Sequence, residues 1–341
     1  MVCLGLLVLG AWPGLRGQEL QIGIVDFYGL DRLRVDQVRE ALTFKEGDTF
    51  SLSTGTRPEF LSTSQVRLGA LTGVADVHIN IVCCEDGRAI VYVGILEDGA
   101  TLMSFRPAPD GPPRLAAEIV RDGEAITKAS MDAVRRGDAG EDDSEGHTLA
   151  HDPAVRAIQT RFIQFARRDL EMLRDVLRRS SDPTHRALAA KVIAYAADKP
   201  AVVSDLVEAM RDPDEATRNN AMRALTVFVM SSRRSSLRPA LIVPYDPFIA
   251  FLHSPVWTDR NKASMALMIL SETRDAEFLA KLRGDAMGPL VEMARWKSAG
   301  HAMPAFMILG RLAGRTDDEI TSAWDRDTRE DLIRAAVEGT R

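Results

Sequence analysis

Apolar and polar positions follow a helical period through most of the chain after residue 150. Residues 186–193 and 218–225 share the pattern Arg-x-x-Ala-x-x-x-[Leu/Ile], which places the alanine and the larger apolar residue on one helical face. Residues 202–210, between them, also carry apolar side chains at helical spacing. The pattern therefore predicts a pair of helices that repeats along the chain.

Each predicted pair is preceded by a residue that can cap a helix and by a proline. Asp or Ser at this position can accept hydrogen bonds from the free amides of a helix start, and proline suits the first helical position because no N–H is needed there. The capping pairs are Asp152-Pro153, Asp182-Pro183, Asp212-Pro213 and Ser254-Pro255. The first three lie 30 residues apart and the last follows after 42, which predicts an insertion around residues 231–245.

This arrangement resembles the HEAT-repeat family, particularly the short repeats described in bilin lyases. The resemblance covers roughly residues 150–315, about half of the chain, and the cap, the arginine and the apolar ladder stay in register. It is imperfect in the first copy, where Gln159 replaces the small residue, and it fades after Arg283. It implies an all-α solenoid of four to five helical hairpins over residues 151–341.

In that family, an aspartate and an arginine of neighbouring repeats commonly pair. The resemblance therefore implies structural roles for Asp182, Asp212, Arg186 and Arg218. We expect Asp212 to act as a helix cap whose loss costs on the order of 1 kcal/mol.

Before the helical region, residues 19–98 predict a small α+β domain. Residues 20–27 alternate as a strand, two helices follow near residues 35–42 and 64–71, and residues 77–81 and 90–96 predict a hairpin around Asp86-Gly87. This order resembles a polypeptide-transport-associated (POTRA) domain, including the aromatic-Gly turn after the first strand and the Gly47-Asp48 break. The alternative is an unrelated small α+β domain.

The POTRA resemblance implies a bacterial cell-envelope protein and an association with outer-membrane proteins. POTRA domains usually come in arrays before an outer-membrane β-barrel. Here the sequence predicts one copy and no barrel-like strands after it, so barrel assembly is not carried over.

Residues 99–150 predict a linker with short helices and an acidic loop. Acidic residues crowd positions 138–145, and His147 and His151 follow. Carboxylates and imidazoles can bind metals, but this spacing fits neither a calcium loop nor a zinc pair. We therefore expect a solvated loop and no metal or other cofactor.

An apolar run at residues 3–12 is too short to span a bilayer, which takes about 20 residues, but it suits the core of a secretory signal spanning residues 1–17. No Lys or Arg precedes the run. Either the true start lies upstream of Met1 or the run is not a signal. The first case predicts a periplasmic or secreted protein without a transmembrane span, and an uncleaved genuine start predicts a cytoplasmic one.

Charge and motifs narrow the functional classes. The net charge of −6 offers no basic face for nucleic acid. No nucleophile elbow, phosphate loop, zinc-protease motif or dinucleotide glycine pattern is present, and the six histidines are scattered. Cys83 and Cys84 are adjacent, and we interpret them as small apolar residues that end a strand. These observations favour a non-enzymatic protein.

The sequence thus predicts a protein-binding scaffold, with a HEAT surface and a POTRA-like sheet edge as its contact regions. Tryptophan and arginine are enriched among interface hot spots, so we expect a polar rim formed by two successive repeats. Its residues are Arg218, Asn219, Asn220, Trp257, Asp259, Arg260, Asn261, Lys262, Trp296 and His301. Alternatively, the tryptophans fill gaps between repeats and the polar residues hold helix starts together. The rival function is an intracellular accessory of an enzyme, as for bilin-lyase-like proteins.

Overall fold

A small α+β region comes first in this chain and a mainly helical region follows it, as the sequence patterns predict. A computed structural model describes residues 19–51, 57–100, 103–234, 241–326 and 328–339. The predicted signal at residues 1–17, and residues 235–240 of the predicted insertion, lie outside the described residues. The described residues contain one small sheet before residue 98 and mainly α-helices after residue 150. No described helix is long and apolar enough to cross a membrane.

The chain divides into two compact units that differ from the expected domains. One unit covers residues 103–247, and the other combines the described residues before 101 with those from 248 onward. The expected linker thus belongs largely to the first unit, because its long helix packs on the first repeat. The expected solenoid is divided, because its last helices share a unit with the sheet.

The sheet has four strands in the order β2-β1-β4-β3. Its strands are β1 (Glu19–Tyr28), β2 (Thr49–Ser51), β3 (Val74–Glu85) and β4 (Arg88–Glu97). Strands β1 and β4 are parallel, whereas β3 and β4 form the predicted antiparallel hairpin. Helices α1 (Val35–Ala41) and α2 (Glu59–Gly69) contribute buried residues such as Val38 and Leu68 to a core with the strands. The predicted order of strand, two helices and two strands is confirmed, with the short β2 added.

The outer edge of β3 is partly occupied by the domain's own side chains. Gln65 donates to the carbonyl of Val77 at 2.8 Å, and Arg57 donates to that of Ile79 at 3.2 Å. The Val77 amide donates to the Asp76 carboxylate. Such contacts protect an edge strand from pairing with another chain.

A disulfide joins Cys83 and Cys84, which the sequence led us to interpret as strand-end residues without a mutual bond. Their pair lies where the register between β3 and β4 shifts, between Val82 and Glu85. The regular alternation that would turn adjacent side chains to opposite faces is therefore interrupted here.

Helices of the first unit form two rows. One row contains α3 (Ala117–Arg135), α5 (Leu170–Arg179) and α7 (Pro200–Ala209). The other, which we call the arginine row, contains α4 (Pro153–Arg168), α6 (Pro183–Ile193) and α8 (Glu215–Arg234). Each helix of the arginine row packs against its predecessor in sequence, and successive members of the row pack against each other. This stacking buries apolar faces that a single hairpin would leave exposed.

The arginine of each repeat holds the loop before its own helix. Its guanidinium donates to the carbonyl six residues earlier in all four copies. The pairs are Arg156 with Ala150 at 2.8 Å, Arg186 with Ser180 at 2.9 Å, Arg218 with Asp212 at 2.9 Å, and Arg260 with Ser254 at 2.6 Å. We call this contact the arginine clip.

The predicted ladder between aspartate and arginine is present at Asp212. The Nε and Nη2 atoms of Arg186 donate to its two oxygens at 2.9 Å, and Arg106 adds a contact at 2.5 Å. Burial would raise the pKa of this carboxyl, but hydrogen bonds from both guanidinium groups hold it below its usual range. Asp182 caps α6 as expected, accepting from the Thr184 and His185 amides.

Asp212 does not cap α8, so that expectation is wrong. The helix begins at Glu215, and the Asp214 carboxylate accepts from the Thr217 amide at 2.8 Å. Asp212 instead accepts from the Asp214 amide, two residues on. Its two arginine partners are the physical reason, because they engage the oxygens that a cap would aim into α8.

The second unit places its helices beside the sheet. They are α10 (Trp257–Leu270), α11 (Ala276–Asp285), α12 (Met287–Ala294), α13 (Ala299–Leu312), α14 (Asp317–Asp325) and α15 (Arg329–Glu338), and α9 (Asp246–Phe251) spans the division between the units. Gly94 of β4 lies so close to α10 that a Cβ atom there would overlap the Pro255 carbonyl oxygen and the Tyr28 ring. The backbone of β4 therefore packs directly against the backbone just before α10, with no side chain between them.

Candidate functional site

The acidic stretch before the first repeat folds as a β-hairpin on the arginine row. Residues 138–150, which we call the hairpin segment, contain β5 (Glu141–Asp142) and β6 (Leu149–Ala150), which pair antiparallel. The expected solvated loop is thus an ordered cover, because its backbone and side chains bond to α4, α8 and the turn after α6.

One ion pair fixes the first strand of the hairpin segment. Nη2 of Arg223, on α8, lies 2.7 Å from both carboxylate oxygens of Glu141. Lys191 of α6 is electrostatically coupled to both groups but has no hydrogen bond or ion pair with any described residue. Burial and the nearby Arg223 charge lower the pKa of Lys191 to about 8. Two cationic side chains of the helices, Arg223 and Lys191, thus lie beside Glu141, and only Arg223 bonds to its carboxylate.

Hydroxyl and backbone groups fix the rest of the hairpin segment. The Tyr195 hydroxyl donates to the Thr148 carbonyl at 2.9 Å, and the Ala150 amide donates to the Gln159 side chain at 2.7 Å. On α8, the Ser231 hydroxyl donates to the Ser144 carbonyl at 2.8 Å. Gln159, which breaks the repeat pattern, is therefore an anchor for this segment.

His147 adds a titratable contact. Its Nδ1 lies 3.3 Å from Nζ of Lys199, and its ring packs on Tyr195. Burial and then the Lys199 charge lower the pKa of His147 to about 4. The imidazole is therefore neutral at neutral pH and tolerates the neighbouring ammonium group.

The predicted rim residues of α10 are not exposed. Trp257, Asp259, Arg260, Asn261 and Lys262 have between 0 and 4% of their surface accessible. The expectation that they project from a polar rim is therefore incorrect as a description of their position. Charged side chains at a helix start suggested solvent, but partners distant in sequence bury them.

Contacts in the second unit show how α10 is buried. Arg260 donates to Glu292 of α12 at 2.7 Å, and its guanidinium lies 4.6 Å from the Tyr28 ring centre. The second oxygen of Glu292 accepts from the Gly29 amide at 2.7 Å. The Ser254 hydroxyl donates to Asp259 at 2.8 Å, which fits the alternative that such polar residues hold a helix start together.

Tyr92 of β4 is the centre of an aromatic cluster. Trp257 stacks on it with ring centres 5.1 Å apart, and Trp296 lies 4.9 Å away. The Tyr92 hydroxyl lies 2.7 Å from Nδ1 of His301, whose pKa burial and Lys262 lower to about 4. The two tryptophans therefore pack against the sheet, and not only between repeats as the alternative supposed.

Some polar atoms in this buried region have no hydrogen-bond partner among the residues that the structure describes. They are Nε1 of Trp257 and of Trp296, Oγ1 of Thr258, and both amide atoms of Asn261. A buried polar group without a partner costs about 1–3 kcal/mol. These groups therefore offset part of the stabilisation that burial of the neighbouring rings provides.

The remaining predicted residues lie in the first unit. Arg218 is buried and packs over Phe105 with 4.3 Å between the guanidinium carbon and the ring centre. Asn220 donates to the Ala187 carbonyl of the preceding repeat at 2.8 Å, and Asn219 is half-buried. The structure thus brings Trp257, Trp296 and His301 together and places Arg218 to Asn220 in another unit.

Sequence analysis missed the anchors of the hairpin segment. Glu141, Tyr195 and Arg223 carry no local signal, because their contacts join residues 47 to 82 positions apart. Gln159 could have indicated such a contact, because it is a polar residue at a position where the other repeats have alanine. Among the described residues, no group of three or more His, Cys, Asp or Glu side chains could hold a metal ion.

Known proteins with similarity to the chain come from solved structures and from a family model. Among solved structures, the chain is similar to a designed armadillo repeat protein in complex with a (KR)4 peptide, at 14% identity and a TM-score of 0.35, covering 56% of this chain and 96% of that one. It is also similar to a computationally designed armadillo repeat protein for modular peptide recognition, at 15% identity and a TM-score of 0.35, covering 55% and 93%. No curated protein matches the chain. Residues 170–242 match the family model described as HEAT repeats, as their register predicted.

Proposed function

We propose that the protein is a non-enzymatic scaffold of the bacterial cell envelope that binds protein partners. The observation that carries this proposal is the stack of helical hairpins whose residues 170–242 match HEAT repeats. Stacked repeats present a continuous surface built from several helices, which suits an extended protein segment. The repeated arginines serve the fold itself, so the binding groups are sought elsewhere on the arginine row.

Export and a POTRA-like identity belong to the same proposal. The order of strand, two helices and two strands, with β1 parallel to β4, supports the POTRA-like assignment of residues 19–98. The guarded edge of β3 makes strand addition there less favourable than the sequence led us to expect, because Val77 and Ile79 already bond to side chains. The repeats are therefore the preferred partner surface.

Affinity capture from the native organism, followed by mass spectrometry, tests the binding function. The expected result is one or more proteins retained at a defined ratio by the full chain. A matched bait of the same chain, denatured by heat before immobilisation, should lose them, because the surface exists only in the folded repeats. Retention of the same proteins by both baits, or of none by the intact chain, would contradict the proposal.

Fractionation tests the location independently. Recovery from the periplasm or medium without residues 1–17 supports a cell-envelope scaffold. A full-length cytosolic protein that co-purifies with an enzyme would support the rival, an intracellular accessory of the bilin-lyase type.

A further inference from the structure

The hairpin segment presents acidic groups to the arginine row as an acidic partner would. We infer that the surface beneath it, formed by α6, α8 and the turn after α6, binds an acidic peptide segment of a protein partner, and that the hairpin segment occupies this surface until the partner displaces it. This inference rests on the proposed function, and it names the chemistry of the partner and the means of control.

Charge identifies the class of ligand. Arg223 meets one carboxylate, Glu141, at 2.7 Å, while Lys191 beside it has no hydrogen bond or ion pair with a described residue. Two other acids of the hairpin segment bond within it, since Asp142 accepts from the Ser144 amide and Asp143 accepts from the Thr148 hydroxyl. A partner that places a second carboxylate near Lys191 gains an ion pair that the hairpin segment does not make.

The hairpin segment is built so that it can leave. Its two strands have two residues each, so it has little structure of its own away from the helices. Gly137 precedes it in a left-handed conformation with φ of 79°, which marks a turn between α3 and the segment. Successive helices α4, α6 and α8 contact each other directly, although displacement of the whole segment also breaks the packing of β6 on α4 and the arginine clip between Arg156 and Ala150.

A binding experiment uses the full chain and a labelled synthetic peptide with the sequence of residues 138–150. Fluorescence anisotropy should show weak binding to the wild type, because the surface is occupied. Glu141→Gln removes the ion pair that holds the segment, and should bind the peptide about tenfold more tightly. Asp138→Asn is the matched control: it removes the same charge from a side chain with no bonded partner among the described residues, and should behave as the wild type.

Two further variants test the site itself. Adding Arg223→Gln to Glu141→Gln should abolish the gain in affinity, because Arg223 is the partner of the Glu141 carboxylate. A peptide with amides in place of its carboxylates should not bind. Hydrogen exchange should show faster exchange of amides 141–150 in Glu141→Gln, with α6 and α8 unchanged.

Equal affinities for Glu141→Gln and Asp138→Asn would overturn the inference, as would a gain that survives Arg223→Gln. In either case the hairpin segment is a fixed part of the fold. Affinity capture separates this failure from that of the proposed function. Partners held equally by the wild type and Glu141→Gln leave the scaffold function intact, whereas capture by neither defeats it.

Discussion

A β element covers helices in each compact unit, but the two covers are attached by different forces. The hairpin segment is held by an ion pair, by hydrogen bonds that Tyr195 and Ser231 donate, and by one that Gln159 accepts. The sheet is held by fully buried rings around Tyr92. Water and a charged partner can replace the first set of contacts, whereas exposing the second set carries the full cost of hydrating aromatic surface. The hairpin segment is therefore the exchangeable cover and the sheet the permanent one.

Removal of the Tyr92 ring should have the largest effect, because this ring attaches the sheet to the helices of the second unit. Tyr92→Ala is expected to cost about 3–5 kcal/mol in the free energy of unfolding, because it removes a fully buried ring and leaves a cavity. Urea denaturation followed by tryptophan fluorescence measures it. Tyr92→Phe is the control, since it keeps the ring and should cost about 1 kcal/mol for the lost His301 contact. A small loss in Tyr92→Ala would mean that the sheet is as loosely attached as the hairpin segment.

The stability of the first unit should depend more on the buried carboxylate of Asp212 than on the helix cap at Asp182. Asp212→Ala is expected to cost about 3 kcal/mol, because it leaves buried Arg186 without its carboxylate partner. Asp182→Ala should cost about 1 kcal/mol, since it removes a helix cap alone. Thermal and urea unfolding of both variants check this order. Equal losses would show that Asp212 acts as no more than a cap.

Acid should destabilise both covers over the same pH range. His147 has a folded pKa of about 4 against about 6.5 unfolded, so its contribution to stability is complete above pH 6.5 and declines as the pH falls towards 4. His301, in the aromatic cluster, has the same folded pKa of about 4, so its contribution declines over the same range. Hydrogen exchange at pH 7 and pH 5 should therefore show loss of protection both at residues 141–150 and in β4. Loss in one region alone would contradict the low pKa of the histidine in the other.

The smallest expected change in stability comes from replacing Asn261, whose buried amide atoms lie under the sheet. Asn261→Leu should raise stability by about 1 kcal/mol, because it removes a buried amide that has no partner. Asn220→Leu, the matched control, should lower stability by about as much, because its amide donates to Ala187. Loss of stability in Asn261→Leu would indicate that water or a ligand satisfies this amide.

Local pattern was enough to predict the repeats and the order of elements in the sheet domain. Arg156, Arg186, Arg218 and Arg260 were visible because their register depends on residues within one repeat. The burial of Trp257 and Arg260 was not visible, because Tyr92 and Glu292 lie far away in sequence. The hairpin segment was misinterpreted for the same reason, since an acidic run without its cationic partners has the composition of a solvated loop.

The arginine clip has a consequence for how such a chain can change its length. Each clip closes within its own repeat, six residues from donor to acceptor, so a copied repeat brings both halves of the contact with it. Duplication or deletion of a unit would therefore leave every remaining clip intact. The carboxylate of Asp212 lacks this independence, because it serves Arg186 of the repeat before it and Arg106 outside the repeats. The clips thus allow the number of repeats to change, whereas Asp212 ties its own repeat to the preceding one.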